Sequence, residues 1–198
     1  MTVAQKLFSI ITIAIIVATV QAGIGLFELS KSRGSLKTVY EDRMVPLEQL
    51  DSIAINMLKN RTHINAALNE THTVIGPDKK PILALDAQNA LKESQYIEAK
   101  VDEISKTWAA YMATNLTAEE KLLADKFSAS RGEFVAKVLK PAIAKLQAGN
   151  YQELAQINTN TLDLYKLAEN DLLALKTLQL DIAAKEYQSA ATSFENIR

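Results

Sequence analysis

The chain has 198 residues, with 22 basic and 23 acidic side chains, a net charge of -1 and no cysteine. Charge this evenly balanced offers no field to hold a phosphate backbone, which removes nucleic acid from the expected partners, and the lack of cysteine excludes disulfides, thiolate catalysis and cysteine-ligated zinc or iron. Six glycines and four prolines leave little turn material for a many-stranded sheet, while good helix formers dominate, so the composition predicts helices.

Residues 7–27 (LFSIITIAIIVATVQAGIGLF) carry no charge. As a helix rising about 1.5 Å per residue, the run covers the ~30 Å hydrocarbon core of a bilayer. A cleaved signal peptide is the competing reading, because Lys6 precedes the run and Val20, Gln21 and Ala22 resemble a cleavage site. A signal core is only about 7–15 residues, however, and here the apolar pattern continues through Ile24, Leu26 and Phe27, which favours an uncleaved anchor. Lys6 stands on one side of it and Lys31, Arg33 and Lys37 on the other, so charge alone does not fix its orientation.

Beyond the anchor, three breaks define four helices. They fall at residues 69–81 (NETHTVIGPDKKP), 114–117 (TNLT) and at Gly149 with Asn150. The helices are expected at about 30–68, 82–113, 118–148 and 151–198, with strands essentially absent. Thr117 and Glu120 have the spacing of a capping box, and Gly149 suits the left-handed position after a helix end.

Each helix carries apolar residues at spacings of three and four. Leu47, Leu50, Ala54, Met57, Ile64 and Leu68 share one register in the first, and Leu83, Ala87, Ala90, Ile97, Val101, Ile104 and Trp108 in the second. Phe127, Phe134 and Val138 do so in the third, and Leu154, Ile157, Leu164, Ala168, Leu172, Leu175 and Ile182 in the fourth. Single stripes with short connections describe an all-α fold, an antiparallel up-down-up-down four-helix bundle following the N-terminal transmembrane helix. Pro46 and Pro141 interrupt helical patterns and are expected to bend them, as fixed kinks accommodated by packing.

Two arginines break these stripes. Continuing the first register from Met57 to Ile64 passes through Arg61, and continuing the third from Phe127 to Phe134 passes through Arg131. A guanidinium removed from water must pair with a carboxylate, snorkel to the edge or hold a ligand anion. On the fourth helix, Thr161 shares a register with Ile157 and Leu164, beside Asn158 and Thr159. A lone threonine there is ordinarily bonded to its own backbone. Together with two arginines, though, hydroxyls and amides are the groups that carboxylate recognition uses.

Catalysis has no visible constellation, since no HExxH, GxSxG, P-loop or GxGxxG pattern occurs. His63 and His72 lack metal-ligand partners at useful spacing, and the absence of any Glu-x-x-His argues against a metal-binding bundle. No metal and no cofactor is expected. Asn60, Asn69 and Asn115 each begin a glycosylation sequon, a pattern short enough to arise by chance. Trp108, Tyr111 and Tyr165 read as core aromatics.

An N-terminal transmembrane helix running into a long four-helix bundle resembles the sensing region of bacterial methyl-accepting chemotaxis proteins, the branch that includes the aspartate and serine receptors. The stretches that carry the resemblance are residues 39–47 (VYEDRMVPL), 59–61 (KNR) and 178–187 (LQLDIAAKEY). The resemblance implies a cytoplasmic N-terminus at 1–6, a transmembrane helix at 7–29 and a periplasmic sensing domain at 30–198 in the bacterial inner membrane. It also implies a homodimer whose first-helix arginines hold ligand carboxylates, while polar groups of the fourth helix receive an amino group. Asn60 and Arg61 match an asparagine–arginine pair of the serine receptor's pocket, and Asn158 or Thr159 falls near its fourth-helix threonine.

The pattern departs at two further first-helix positions, where Asn56 and Asn65 stand in place of arginine. The amino-acid recognition set is therefore incomplete, and the implied ligand is a small organic anion, a di- or tricarboxylate in preference to an amino acid. The candidate site residues are Arg61, Asn60, Asn65, Arg131, Asn158, Thr159 and Thr161, with Arg131 as a separate candidate lower in the bundle. Ligand binding would shift the fourth helix along its axis and so signal across the membrane. The alternative is a membrane-anchored helical protein that mediates oligomerisation without a small ligand.

Overall fold

The computed structural model describes residues 8, 12, 14–27, 30 and 43–195. A helical run at 14–27, α1, leaves Ile15, Ile16, Val17, Val20, Ile24, Leu26 and Phe27 exposed. Its Thr19 hydroxyl donates back to the carbonyls of Ile15 and Ile16 (both 2.9 Å). Among the described residues no helix is long and apolar enough to cross a membrane. Much of the expected 7–29 span (residues 7, 9–11, 13, 28 and 29) lies outside them, as do 1–6, 31–42 and 196–198.

Four helical limbs follow. The first is α2 (Val45–Asn69), the second α3 (Ala87–Met112), the third α4 (Ala118–Phe134) with α5 (Lys140–Gln147), and the fourth α6 (Tyr151–Glu195). Packing runs from α2 to α3, from α3 to α5, from α4 and α5 to α6, and from α6 back to α2. Cross-helix contacts give the sense of each pair. Asn56 meets Glu103 and His63 meets Glu93, while Asp51 meets Lys176 and Asn65 meets Asn158. One partner's number falls as the other's rises, so α2 is antiparallel to both α3 and α6.

The apolar stripes close into one core. Leu50, Met57, Ile64, Ile97, Ile104, Phe127, Phe134, Leu154, Leu172 and Leu175 are all buried. The aromatics read from sequence belong to it: Trp108 stacks on Tyr111 (centroids 5.1 Å apart) and meets Phe127 edge-on (4.9 Å), while Tyr165 meets Phe134 edge-on (5.9 Å). Ala87 departs from its expected stripe and is exposed, because it opens α3 immediately after the cap.

Helix ends obey local chemistry. Thr117 and Glu120 form the full capping box. Gly149 has φ +66°, with its N–H donating to Leu146 O (3.2 Å) and that of Asn150 to Lys145 O (2.9 Å), the paired bonds of a Schellman motif.

Two expectations need correction. Residues 69–81 are not merely a break, and strands are present: β1 (His72–Ile75) pairs antiparallel with β2 (Pro81–Ala84), in the register His72↔Ala84 to Ile75↔Pro81. The turn explains it. Pro77 takes the second position of a tight turn closed by Lys79 N to Gly76 O (3.0 Å), Lys79 takes the left-handed φ of 61°, and Gly76 N then donates to Lys80 O (2.8 Å). In consequence the second helix starts at Ala87 and not at 82, capped by Asp86 Oδ2, which accepts from Gln88 N and Asn89 N (both 3.1 Å).

Pro46 and Pro141 each follow a π-helical widening, and the helical backbone continues through both. Pro141 comes after the π segment Val135–Leu139, in which Lys140 N–H reaches Val135 O, and Pro46 comes after π-helical Arg43 and Met44. A π turn shifts the hydrogen-bond ladder by one residue, which accommodates a residue with no N–H.

Candidate functional site

Of the residues named from sequence, Arg61, Asn65 and Asn158 make contacts between α2 and α6. Asn60 is fully buried, and neither its Nδ2 nor its Oδ1 has a hydrogen-bond partner. Its place in the core also removes it as a glycosylation acceptor. Leaving such an amide unpaired costs roughly 1–3 kcal/mol.

Arg61 is half-buried, with its guanidinium 5.0 Å from the centroid of the Tyr165 ring. No carboxylate among the described residues pairs with it. Tyr165 is 4% exposed, and its hydroxyl donates to Glu169 Oε1 (2.8 Å). Burial, then the bond to Glu169 and that group's charge, push the phenol up to about 12, with Arg61 opposing the shift. The ring therefore stays neutral at physiological pH and offers its face to the cation. Ala54 and Met57 of α2 and Tyr165, Glu169, Leu172, Leu173 and Lys176 of α6 line a groove of about 210 Å³, and Lys176 also pairs with Asp51 of α2.

The other residues divide. Asn158 Nδ2 donates to Asn65 Oδ1 (3.0 Å), which joins α6 to α2 one turn from Arg61. Thr161 is 1% exposed and donates to Ile157 O (3.2 Å), the backbone bond expected of an isolated threonine. Thr159 is exposed, with its hydroxyl on Ala155 O (3.4 Å). Asn56, at 3% exposure, gives its amide to Glu103 Oε1 (3.0 Å) and is thereby committed to α3.

Arg131 lies elsewhere. Its Nη2 donates to Ser105 Oγ on α3 (2.6 Å), its buried Nε has no partner, and burial pulls the guanidinium below its ordinary range. Arg61 faces α6 and Arg131 faces α3, so the fold does not bring the two together. The register assigned to both also shifts by one residue. Asn60 and Ser130 occupy the apolar seam, at 0% and 6% exposure, and each arginine flanks it, half-buried. A helical period of 3.6 permits either placement, and an unpaired guanidinium costs several kcal/mol more in a dry seam than an amide or hydroxyl.

Sequence reasoning left out several partners. His63 Nδ1 lies 2.5 Å from Glu93 Oε2 and its ring stacks on Tyr96 (3.7 Å, 26°), so His63 is committed between α2 and α3. The pairing of Arg61 with Tyr165 had no local signal, because the residues are far apart in sequence and meet only through the antiparallel register.

Adjacent on α2, Asn60 and Arg61 are thus a buried amide without a hydrogen-bond partner and a guanidinium without a carboxylate among the described residues. The family model described as Tar ligand binding domain homologue (TarH) matches residues 1–183. The chain belongs to that family, the extracytoplasmic ligand-binding domains of the chemoreceptor kind, a family of sensors. No curated protein matches the chain.

Proposed function

We propose that this domain senses a small organic anion, a di- or tricarboxylate in preference to an amino acid, held between α2 and α6 by Arg61. The observation that carries this reading is the half-buried guanidinium with no carboxylate partner among the described residues, one residue from an amide that is buried and unpaired. A carboxylate uses the planar donor fork of arginine fully, and a second polar group of the ligand would satisfy Asn60. Asn65 and Asn158 border the same site. Arg131 is a separate second candidate.

In this reading residues 7–29 anchor the chain in a bacterial inner membrane, with 1–6 cytoplasmic and 30–198 periplasmic, and the uncharged run from Leu7 supports the anchor. The chain pairs with a second copy along α2, which is supported by the outward apolar side chains of Ile55 (53% exposed) and Leu58 (49%). Binding would shift α6 relative to α2 and so carry the signal toward the membrane. A ligand moves that equilibrium only by the difference in its affinity for the two states.

A thermal-shift screen of the chain against di- and tricarboxylates and amino acids tests the proposal. A ligand at 100 times its Kd adds about 2.7 kcal/mol, which raises the midpoint by roughly 5–10 °C in a domain this size. Stabilisation by an amino acid alone would overturn the ligand class. No shift with any compound, in a chain that still self-associates, would favour a helical oligomerisation protein.

A further inference from the structure

At the end of the bundle opposite the hairpin, one arginine joins three limbs. Arg43, immediately before α2, donates through Nη1 to Glu120 Oε1 (3.1 Å) and through Nε and Nη2 to Glu186 Oε1 (3.2 and 3.0 Å). Glu120 opens α4 and Glu186 belongs to the last part of α6. The side chains of Arg43 and Glu120 are 10% and 0% exposed, and that of Glu186 is 33% exposed.

The two carboxylates are held differently. Both oxygens of Glu120 are engaged, Oε1 by Arg43 and Oε2 by Thr117 N (2.5 Å), and its own N–H returns to Thr117 Oγ1. Glu120 therefore cannot move without dismantling the start of α4. Glu186 is held through Oε1 alone, while its Oε2 is buried and has no hydrogen-bond partner. A carboxylate gripped on one oxygen can slide and exchange that oxygen for the other, within the 1–2 Å typical of helix shifts.

The rest of α6 makes this contact decisive. Gln179, which donates to Tyr111 Oη (3.3 Å), is the last buried side chain along α6 among the described residues. Beyond it Ile182, Ala183 and Glu186 are half-buried, and Leu180, Asp181, Ala184, Lys185, Tyr187, Gln188 and Ser189 are exposed. Over residues 180–189, about 14 Å of helix, Ile182 and Ala183 are the only apolar side chains among the described residues that are even half-buried.

We propose that Arg43 is a clasp: it is fixed to the body of the bundle through Glu120 and holds the emergent part of α6 through Glu186, so that opening the Arg43–Glu186 pair loosens that part while the bundle stays folded. The clasp rests on the contact geometry alone. Only its consequence, a set point for the movement of α6 on sensing, rests on the function proposed above.

Hydrogen–deuterium exchange on the full chain in detergent tests it without any ligand. Glu186→Ala removes both oxygens while substituting a better helix former, so faster exchange cannot arise from weakened helix propensity. Asp181→Ala, at an exposed position in the same part of the helix, is the control. The expected result is that amides of 180–195 exchange about tenfold faster in Glu186→Ala, with 151–175 and α2 unchanged and the control like wild type. Wild-type exchange at 180–195 in Glu186→Ala, or an equal rise along the whole of α6, would overturn the clasp. Neither result depends on finding a ligand, so failure of the sensing reading remains a separate outcome of the thermal-shift screen.

Discussion

The guanidinium of Arg61 lies over the ring of Tyr165 across the α2–α6 interface, 5.0 Å from its centroid, and has no carboxylate partner among the described residues. Cation and ring hold each other in place without neutralising the charge, because a neutral phenol supplies only the negative face of its ring. The arginine is thus positioned and still charged. Its neighbour Asn60 is buried with donor and acceptor both unused.

The amide gives the first prediction. Asn60→Leu replaces an unpaired polar group with an apolar one of similar volume, and should stabilise the free protein by about 1–2 kcal/mol, raising its thermal midpoint by roughly 2–6 °C. The same variant should lose ligand affinity. Calorimetric melting and binding titration measure the two effects. A lower midpoint would mean that the amide is satisfied in the free protein.

Alkaline stability tests the environment of Tyr165. Its folded-state pKa is raised to about 12 against an ordinary value near 10, so the folded protein holds this proton more tightly than the unfolded chain does. The contribution is fully present below pH 10 and is lost as pH rises toward about 12. Tyr165→Phe should flatten the decline in midpoint over that window. An unchanged slope would refute the assignment.

The hairpin yields a local test. Lys79 occupies left-handed backbone at φ 61°, where a side chain costs about 1 kcal/mol or more relative to glycine. Lys79→Gly should slow amide exchange within residues 72–84 while leaving the bundle unchanged. Faster exchange there would show that the lysine side chain contributes more than its backbone costs.

Self-association forms the fourth prediction. Ile55 and Leu58 point outward from α2, and a lysine at either position would place a charge in the proposed contact. Sedimentation at high concentration should show dimer for the wild type and monomer for Ile55→Lys. Dimer in both would place the contact on another face.

How far the sequence carried the reading can be followed residue by residue. The apolar stripes, the capping box of Thr117 with Glu120 and the stop at Gly149 are local signals, and the fold follows them. The hairpin was legible in principle, since Thr73, Val74 and Ile75 precede a Gly-Pro-Asp turn and Ile82 and Leu83 follow it, but its strands are shorter than the helical patterns on either side. Asn60 and Arg61 were found together, yet which of them faces inward depends on a rotation of one residue that spacing does not settle. Arg43, Glu120 and Glu186 meet through tertiary register alone, and no spacing announces them.

The central claim is that Arg61 holds the carboxylate of a small anionic ligand, and titration calorimetry with the acid that gives the largest thermal shift tests it most directly. Loss of a charge-assisted pair with a carboxylate costs about 2–3 kcal/mol, so Arg61→Ala should bind that acid on the order of 30–150-fold more weakly, with Arg131→Ala close to wild type. Full affinity retained in Arg61→Ala would contradict the account.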